Sequence, residues 1–280
     1  MSGPESRPRL EPFFLATSSG ERFCVVHIPV GQPRGAVLYL HPFAEEMNKS
    51  RRMAALQARA LAASGSVVLQ IDLFGCGDSS GDFADATWEI WKRDAVLAAQ
   101  WLFDKFALPV TFWGLRLGAL LALASAPACA RAPRGFILWQ PLINGEQAIT
   151  QFLRLRVASA MLAQGKATSG VQELRHALVS GECLEIAGYV LSPGLASSID
   201  ALTLTAAPVP ESRAHWLELV PDGAMSLPPA AKRAADSWTS RGARLSVKYI
   251  TGQPFWNTLE IHECPALISE TSRILALEHE

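Results

Sequence analysis

The pentapeptide Gly114-Leu115-Arg116-Leu117-Gly118 follows a short apolar run, Val110 to Trp113, and leads straight into a stretch of small apolar residues. A strand that turns this sharply into a helix holds its central residue in strained backbone geometry, and flanking glycines permit the close approach. Where such a turn carries a serine, an adjacent histidine takes its proton and two backbone N–H groups hold the oxyanion. Here the central residue is Arg116. A guanidinium stays protonated at any ordinary pH, so it is neither nucleophile nor base. It can bind an anion, since a bidentate donor at a helix N-terminus suits a phosphate or carboxylate. It can equally pair with an internal carboxylate and plug the place. The plainest reading is a βα turn that happens to contain two glycines.

A second group of candidates lies in His41-Pro42-Phe43-Ala44-Glu45-Glu46, after the first buried apolar run, where an oxyanion loop would lie. Glu45 and Glu46 either stabilise the start of a helix or face Arg116 across a pocket lined by His41, Phe43, Leu117 and Trp256. A charged pair there predicts binding, not ester hydrolysis. Asp72 and the turn Gly75-Cys76-Gly77 read as structural, and nothing local lowers the Cys76 thiol pKa. Asp222, after Trp216 to Pro221, fits the place of a catalytic acid. Where the matching histidine is expected stand Phe255 and Trp256, with His262 several residues beyond.

These residues need a scaffold, and the periodicity supplies one. Pro12 to Thr17 and Arg22 to Pro29 read as a strand pair around Ser18-Ser19-Gly20. Buried-strand runs follow at Ala36–Leu40, Val67–Leu73, Pro109–Trp113, Gly135–Trp139, His215–Val220 and Arg244–Ile250. Helical patterns at Met47–Ala63, Thr87–Phe106, Gly118–Ala126, Pro229–Arg241 and Pro265–Ala276 alternate with them. This alternation implies right-handed crossovers and a mostly parallel sheet with helices on both faces, the α/β-hydrolase arrangement. One domain spanning 1–280 is expected, with a helical lid inserted at 144–210, including Gln147–Gln164 and Val171–Val179, over the carboxyl ends of the strands.

With 280 residues and 49% hydrophobic content, one sizeable core is available. The net charge is −1, and the basic residues are scattered, so no footprint for nucleic acid or an anionic membrane appears. A small-molecule substrate or an anionic ligand is the expected partner; the oligomeric state is not fixed by the sequence. Met1 to Leu10 lacks a secretory signal pattern and no stretch is apolar enough to span a bilayer, which leads us to expect a cytoplasmic protein. Five cysteines, an odd number at wide spacing, argue against a disulfide framework and a zinc site, and no cofactor or metal is expected.

Four tracts together carry a more specific resemblance: Pro42 to Met53, Asp72 to Ser79, Trp113 to Arg116, and Pro254-Phe255-Trp256. From about Ala36 onward the chain resembles the exosortase A system-associated hydrolases of the second type, and in such proteins arginine at the elbow is the pattern of the family. His41 stands where they more often carry another proline, which leaves the register of the loop intact. The resemblance implies an α/β-hydrolase fold in a Gram-negative bacterium that makes exopolysaccharide. Two functions follow as expectations. The first is hydrolysis or acyl transfer on an ester or thioester, through a water activated by Glu45, Glu46 or Asp222. The second is a non-catalytic pocket that holds an anionic ligand through Arg116.

Overall fold

A computed structural model describes residues 7–164, 170–207, 212–258 and 260–278. The chain opens with β1 (Arg9–Thr17) and β2 (Gly20–Ile28), an antiparallel pair whose tight turn needs Gly20 at φ 98°. Arg9 and Leu10, expected in the polar leader, are thus already in the first strand. There follow β3 (Gly35–Leu40), α1 (Glu45–Ala63), β4 (Ser66–Ile71), α2 (Trp88–Phe106), β5 (Val110–Leu115), α3 (Leu117–Ser125) and β6 (Gly135–Trp139). After an insertion come β9 (Arg213–Val220), α7 (Pro229–Ser240), β10 (Leu245–Thr251) and α8 (Pro265–Glu278).

The strands form one eight-stranded sheet in the order β1-β2-β4-β3-β5-β6-β9-β10. Every pair from β4 to β10 is parallel, and only β2 runs against the sheet, antiparallel to both β1 and β4. This is the α/β-hydrolase fold. Its strands read as unbroken apolar runs because both faces are covered. Along β3, Ala36, Leu38 and Leu40 join the core shared with α2, α3 and α7, whereas Val37 and Tyr39 join the core shared with α1 and α8. On that second face an aromatic row crosses the sheet, with ring centroids 4.3 Å apart for Tyr39–Trp113, 4.7 Å for Trp113–Trp139 and 6.2 Å for Trp139–Phe255.

The insertion between β6 and β9 contains α4 (Gly145–Gln164), α5 (Val171–Val179), a short hairpin of β7 (Leu184–Ile186) and β8 (Tyr189–Leu191), and α6 (Pro193–Asp200). The hairpin and α6 resolve the stretch whose sequence pattern was mixed. A bridge between Asn144 and Thr203 closes the neck of the insertion, helped by Gly145 N–H to Leu202 O at 2.9 Å and Leu204 N–H to Ile143 O at 2.8 Å. Residues 165–169 and 208–210 of the expected 144–210 unit lie outside the described residues. Among those described, Ile149, Phe152, Leu174 and Ile199 belong to the same apolar core as α2 and α3. No described helix is long and apolar enough to cross a membrane, and the cysteines are all unpaired.

Candidate functional site

Arg116 is the N-cap of α3, at φ 56° and ψ −114°, a conformation that L-residues adopt only under constraint. The constraint is packing. A Cβ on Gly114 would fall 2.4 Å from the carbonyl oxygen of Gly118, and a Cβ on Gly118 would fall 2.2 Å from that of Leu40, so both flanking positions must be glycine. The Arg116 N–H donates to Trp139 O at 3.0 Å and fixes the turn beyond the sheet end.

The Arg116 side chain, 8% exposed, does not project into open space. Its Nε donates to Glu46 Oε1 at 3.2 Å and its Nη2 to the same oxygen at 3.0 Å, while Nη2 also donates to Gln151 Oε1. The guanidinium lies 5.3 Å from the Trp256 ring centroid, within cation–π range. Glu46 stands in the first turn of α1, so its carboxylate bridges two helix N-termini, its own and that of α3. Glu45, its neighbour, makes no ion pair and lines the cleft rim. Only the two Nη1 donors of Arg116 lack a hydrogen bond, and they are not sealed from solvent.

Over this group lies a cleft walled by Phe43, Lys49, Gln151, Phe152 and Trp256, with a cavity volume of about 40 Å³. A single water needs about 10–15 Å³ by the same measure, so the cleft has room for a few waters or a small group. Arg116, Leu117 and His41 are not among its walls. Leu117 turns into the sheet-side core, and the His41 ring meets Pro42 O at 2.8 Å through Nδ1 and Leu73 N–H at 3.3 Å through Nε2. Burial lowers the pKa of His41 below its ordinary value, more than the neighbouring Asp72 raises it, and leaves the ring neutral.

At the acid's place, Asp222 is exposed beyond the end of β9 and meets none of the cleft groups. The carboxylate that the fold buries there is Glu218, within β9. Its oxygens accept from Trp216 Nε1 at 2.8 Å and Gln140 Nε2 at 2.9 Å. Burial pushes its pKa up, against those hydrogen bonds and the charge of Arg116. Where a histidine would stand, Trp256 is buried and stacked, and His262 makes no hydrogen bond to any of these groups. Burial also drives the Cys76 thiol up, away from nucleophilic use. Among the described residues, no cluster of three metal-ligating side chains occurs.

A family model for serine aminopeptidase S33 hydrolases matches residues 31–191, more than half of the chain. The chain belongs to this S33 hydrolase family. No curated protein matches it in sequence. Solved structures of esterases share the fold: Est1E from Butyrivibrio proteoclasticus with bound ferulic acid is similar at 15% identity and TM-score 0.66, over 95% of this chain and 98% of that one. A thermostable carboxyl esterase from Bacillus coagulans is similar at 13% identity and TM-score 0.62, over 96% and 97%. A thioesterase domain of the curacin biosynthetic pathway reaches TM-score 0.55 at 16% identity, over 97% and 99%.

Within this S33 member, sequence reasoning missed Gln151 and Glu218. Both left a trace. Ala148, Gln151, Phe152 and Leu155 have the i, i+3, i+4, i+7 spacing of one helix face, and all four line the cleft. Glu218 is a lone charge inside the apolar run His215 to Val220, which is a sign of a buried carboxylate.

Proposed function

We propose that this S33-family chain binds a small ligand at its elbow and does not hydrolyse it. The observation that carries the reading is the guanidinium of Arg116 at the nucleophile's position, held by Glu46 and Gln151 and stacked on Trp256 at the histidine's position. No group there can attack a carbonyl. Water activation has one carboxylate left, Glu45 at the cleft rim, and no nucleophile or histidine to work with: Glu46 is spent on Arg116, both Glu218 oxygens accept hydrogen bonds, and Asp222 lies elsewhere.

What the reading leaves to a ligand is the cleft wall of Glu45, Gln151 and Trp256, with the unpaired Nη1 edge of Arg116 behind it. Because Glu46 already neutralises Arg116, a second carboxylate would sit beside a like charge. The site therefore favours a neutral acceptor, such as an ester or amide carbonyl, and an anion binds only by displacing Glu46. The resemblance to exosortase A-associated proteins supports drawing that ligand from exopolysaccharide or lipid-linked metabolism. The esterase-like fold supports an acyl-bearing molecule, and Lys49 and Asn257 supply further polar contacts at the rim.

The test is a panel of short p-nitrophenyl esters and acyl thioesters, together with a serine-hydrolase activity probe, applied to wild type, Arg116→Ala and Arg116→Ser. We expect no turnover and no labelling by wild type, and saturable ligand protection in thermal melts that Arg116→Ala abolishes. Turnover by wild type that Arg116→Ala removes would sink the proposal.

A further inference from the structure

At the opposite end of β5 from the elbow, the start of that strand, the helix α2 and residues 129–133 enclose a hollow of about 220 Å³, against about 40 Å³ at the elbow cleft. Its walls are mostly aliphatic and aromatic: Val96, Ala99 and Phe103 from α2, Val110 and Phe112 from β5, and Pro133. The one charged residue among them is Arg131, whose side chain is exposed and so stands at the mouth. We infer that this hollow binds a small monocarboxylate with an apolar tail, of the medium-chain fatty acid class. The tail lies against α2 and β5, and the carboxylate meets Arg131.

Arg131 is held in place without spending its donors. Its guanidinium carbon lies 3.9 Å from the centroid of the Phe103 ring, itself part of the wall. Cation–π attraction consumes no N–H donor, and among the described residues Arg131 has no hydrogen-bond or ion-pair partner. The other polar side chains of the walls are turned to internal partners. Gln100 donates through Nε2 to Asp104 Oδ1 at 2.7 Å, and the Cys129 thiol donates to Ser125 O at 3.6 Å. Burial pushes that thiol up to about 11, so it stays neutral beside an anion. Asp104 itself is not among the walls, so no carboxylate of the protein competes inside the hollow.

This distribution of polarity selects the ligand. An inorganic anion satisfies Arg131 and leaves the apolar walls in water. A neutral hydrocarbon covers the walls and gains nothing from the guanidinium, and an alkylammonium meets a like charge. A sugar finds too few donors and acceptors on the walls to replace its water. A carboxylate on an aliphatic tail uses walls and guanidinium together. One water needs about 10–15 Å³ by this measure, so the hollow holds on the order of fifteen waters, or a chain of medium length. The inference stands apart from the reading of the elbow, which lies at the other end of β5.

Val96 and Val110 line the hollow, whereas Val37 belongs to the core on the other face of the sheet. The experiment follows these valine methyl resonances by NMR, assigned with Val96→Ala, Val110→Ala and Val37→Ala, during titration with octanoate, octanol, octylammonium and acetate. We expect octanoate to shift Val96 and Val110 saturably at millimolar affinity or better and to leave Val37 unmoved. It should bind about tenfold more tightly than octanol, with octylammonium and acetate weaker still. Because Arg131 is exposed, Arg131→Ala should keep the wild-type Tm and bring octanoate down to the level of octanol. Arg131→Lys should keep part of the preference for the carboxylate, and Arg116→Ala should respond as wild type. Silence of Val96 and Val110 toward octanoate, octanol binding as well as octanoate, or an unchanged preference in Arg131→Ala would each overturn the inference.

Discussion

Glu218 shows what a single buried charge does to this molecule. Burial holds its carboxyl above the ordinary value of 4.5, even though Trp216, Gln140 and Arg116 all favour the charged form. The folded protein therefore keeps this proton at a pH where the unfolded chain has lost it. The sign follows: the stability contributed by the group is greatest below about pH 4.5 and declines as pH rises through the folded pKa. Glu218→Gln cannot ionise, so it lacks that decline. Urea unfolding from about pH 4.5 to about pH 7.5 is expected to show the variant gaining on wild type as pH rises. A constant difference across the range would mean that Glu218 ionises alike in the folded and unfolded chain. Arg116 is the complementary case, a buried charge answered by a partner, and its partner was legible only in part. The sequence placed two glutamates at the start of one helix; the helical rotation that turns Glu46 inward and leaves Glu45 at the rim depends on where α1 begins, at Glu45 instead of Met47.

Elements are held together here by a few buried polar ties. Arg22 on β2 is 0% exposed and donates through Nε to Asp94 Oδ2 on α2 at 2.8 Å, and the same oxygen accepts from Phe74 N–H at 2.9 Å. One carboxylate thus fixes the opening hairpin, α2 and the turn after β4. Breaking a buried pair from one side strands the other charge, and Asp94→Ala is expected to cost about 3–5 kcal/mol by chemical denaturation. A loss under about 1 kcal/mol would show that the pair is solvated. The elements themselves were largely readable, since fully buried strands and amphipathic helices alternate with distinct periods. Asp94 was not, because a charge in a helix pattern reads as solvent-facing until the hairpin that covers it is placed. Asp222 misled for a related reason. The turn after β9 is the expected place for an acid, but the strand ends at Val220, two positions before Asp222, and the buried carboxylate sits inside the strand. The short β7–β8 hairpin was hidden because three-residue strands carry too little alternation to recognise.

At the scale of the whole molecule, the insertion shares its apolar core with α2 and α3 instead of packing only on itself. It should not melt independently. Thermal or urea unfolding followed by far-ultraviolet circular dichroism and by tryptophan emission is expected to give coincident transitions. An early transition confined to helical signal would show that the insertion is a separate unit. The other face depends on α8, where Trp139 Nε1 donates to Thr271 Oγ1 at 2.9 Å and closes the aromatic row from behind. The elbow has a consequence for descent. Its strained turn is imposed by Gly118 lying against the Leu40 carbonyl, so it persists whatever side chain occupies position 116. A lineage on this scaffold can abandon covalent chemistry by one codon and keep its architecture intact. If the chain binds without cleaving, as proposed, the way back is harder, because Trp256 is buried where a base would have to stand and reversion at position 116 alone would not supply a proton acceptor. On that proposed reading, loss of catalysis on this scaffold would act as a ratchet.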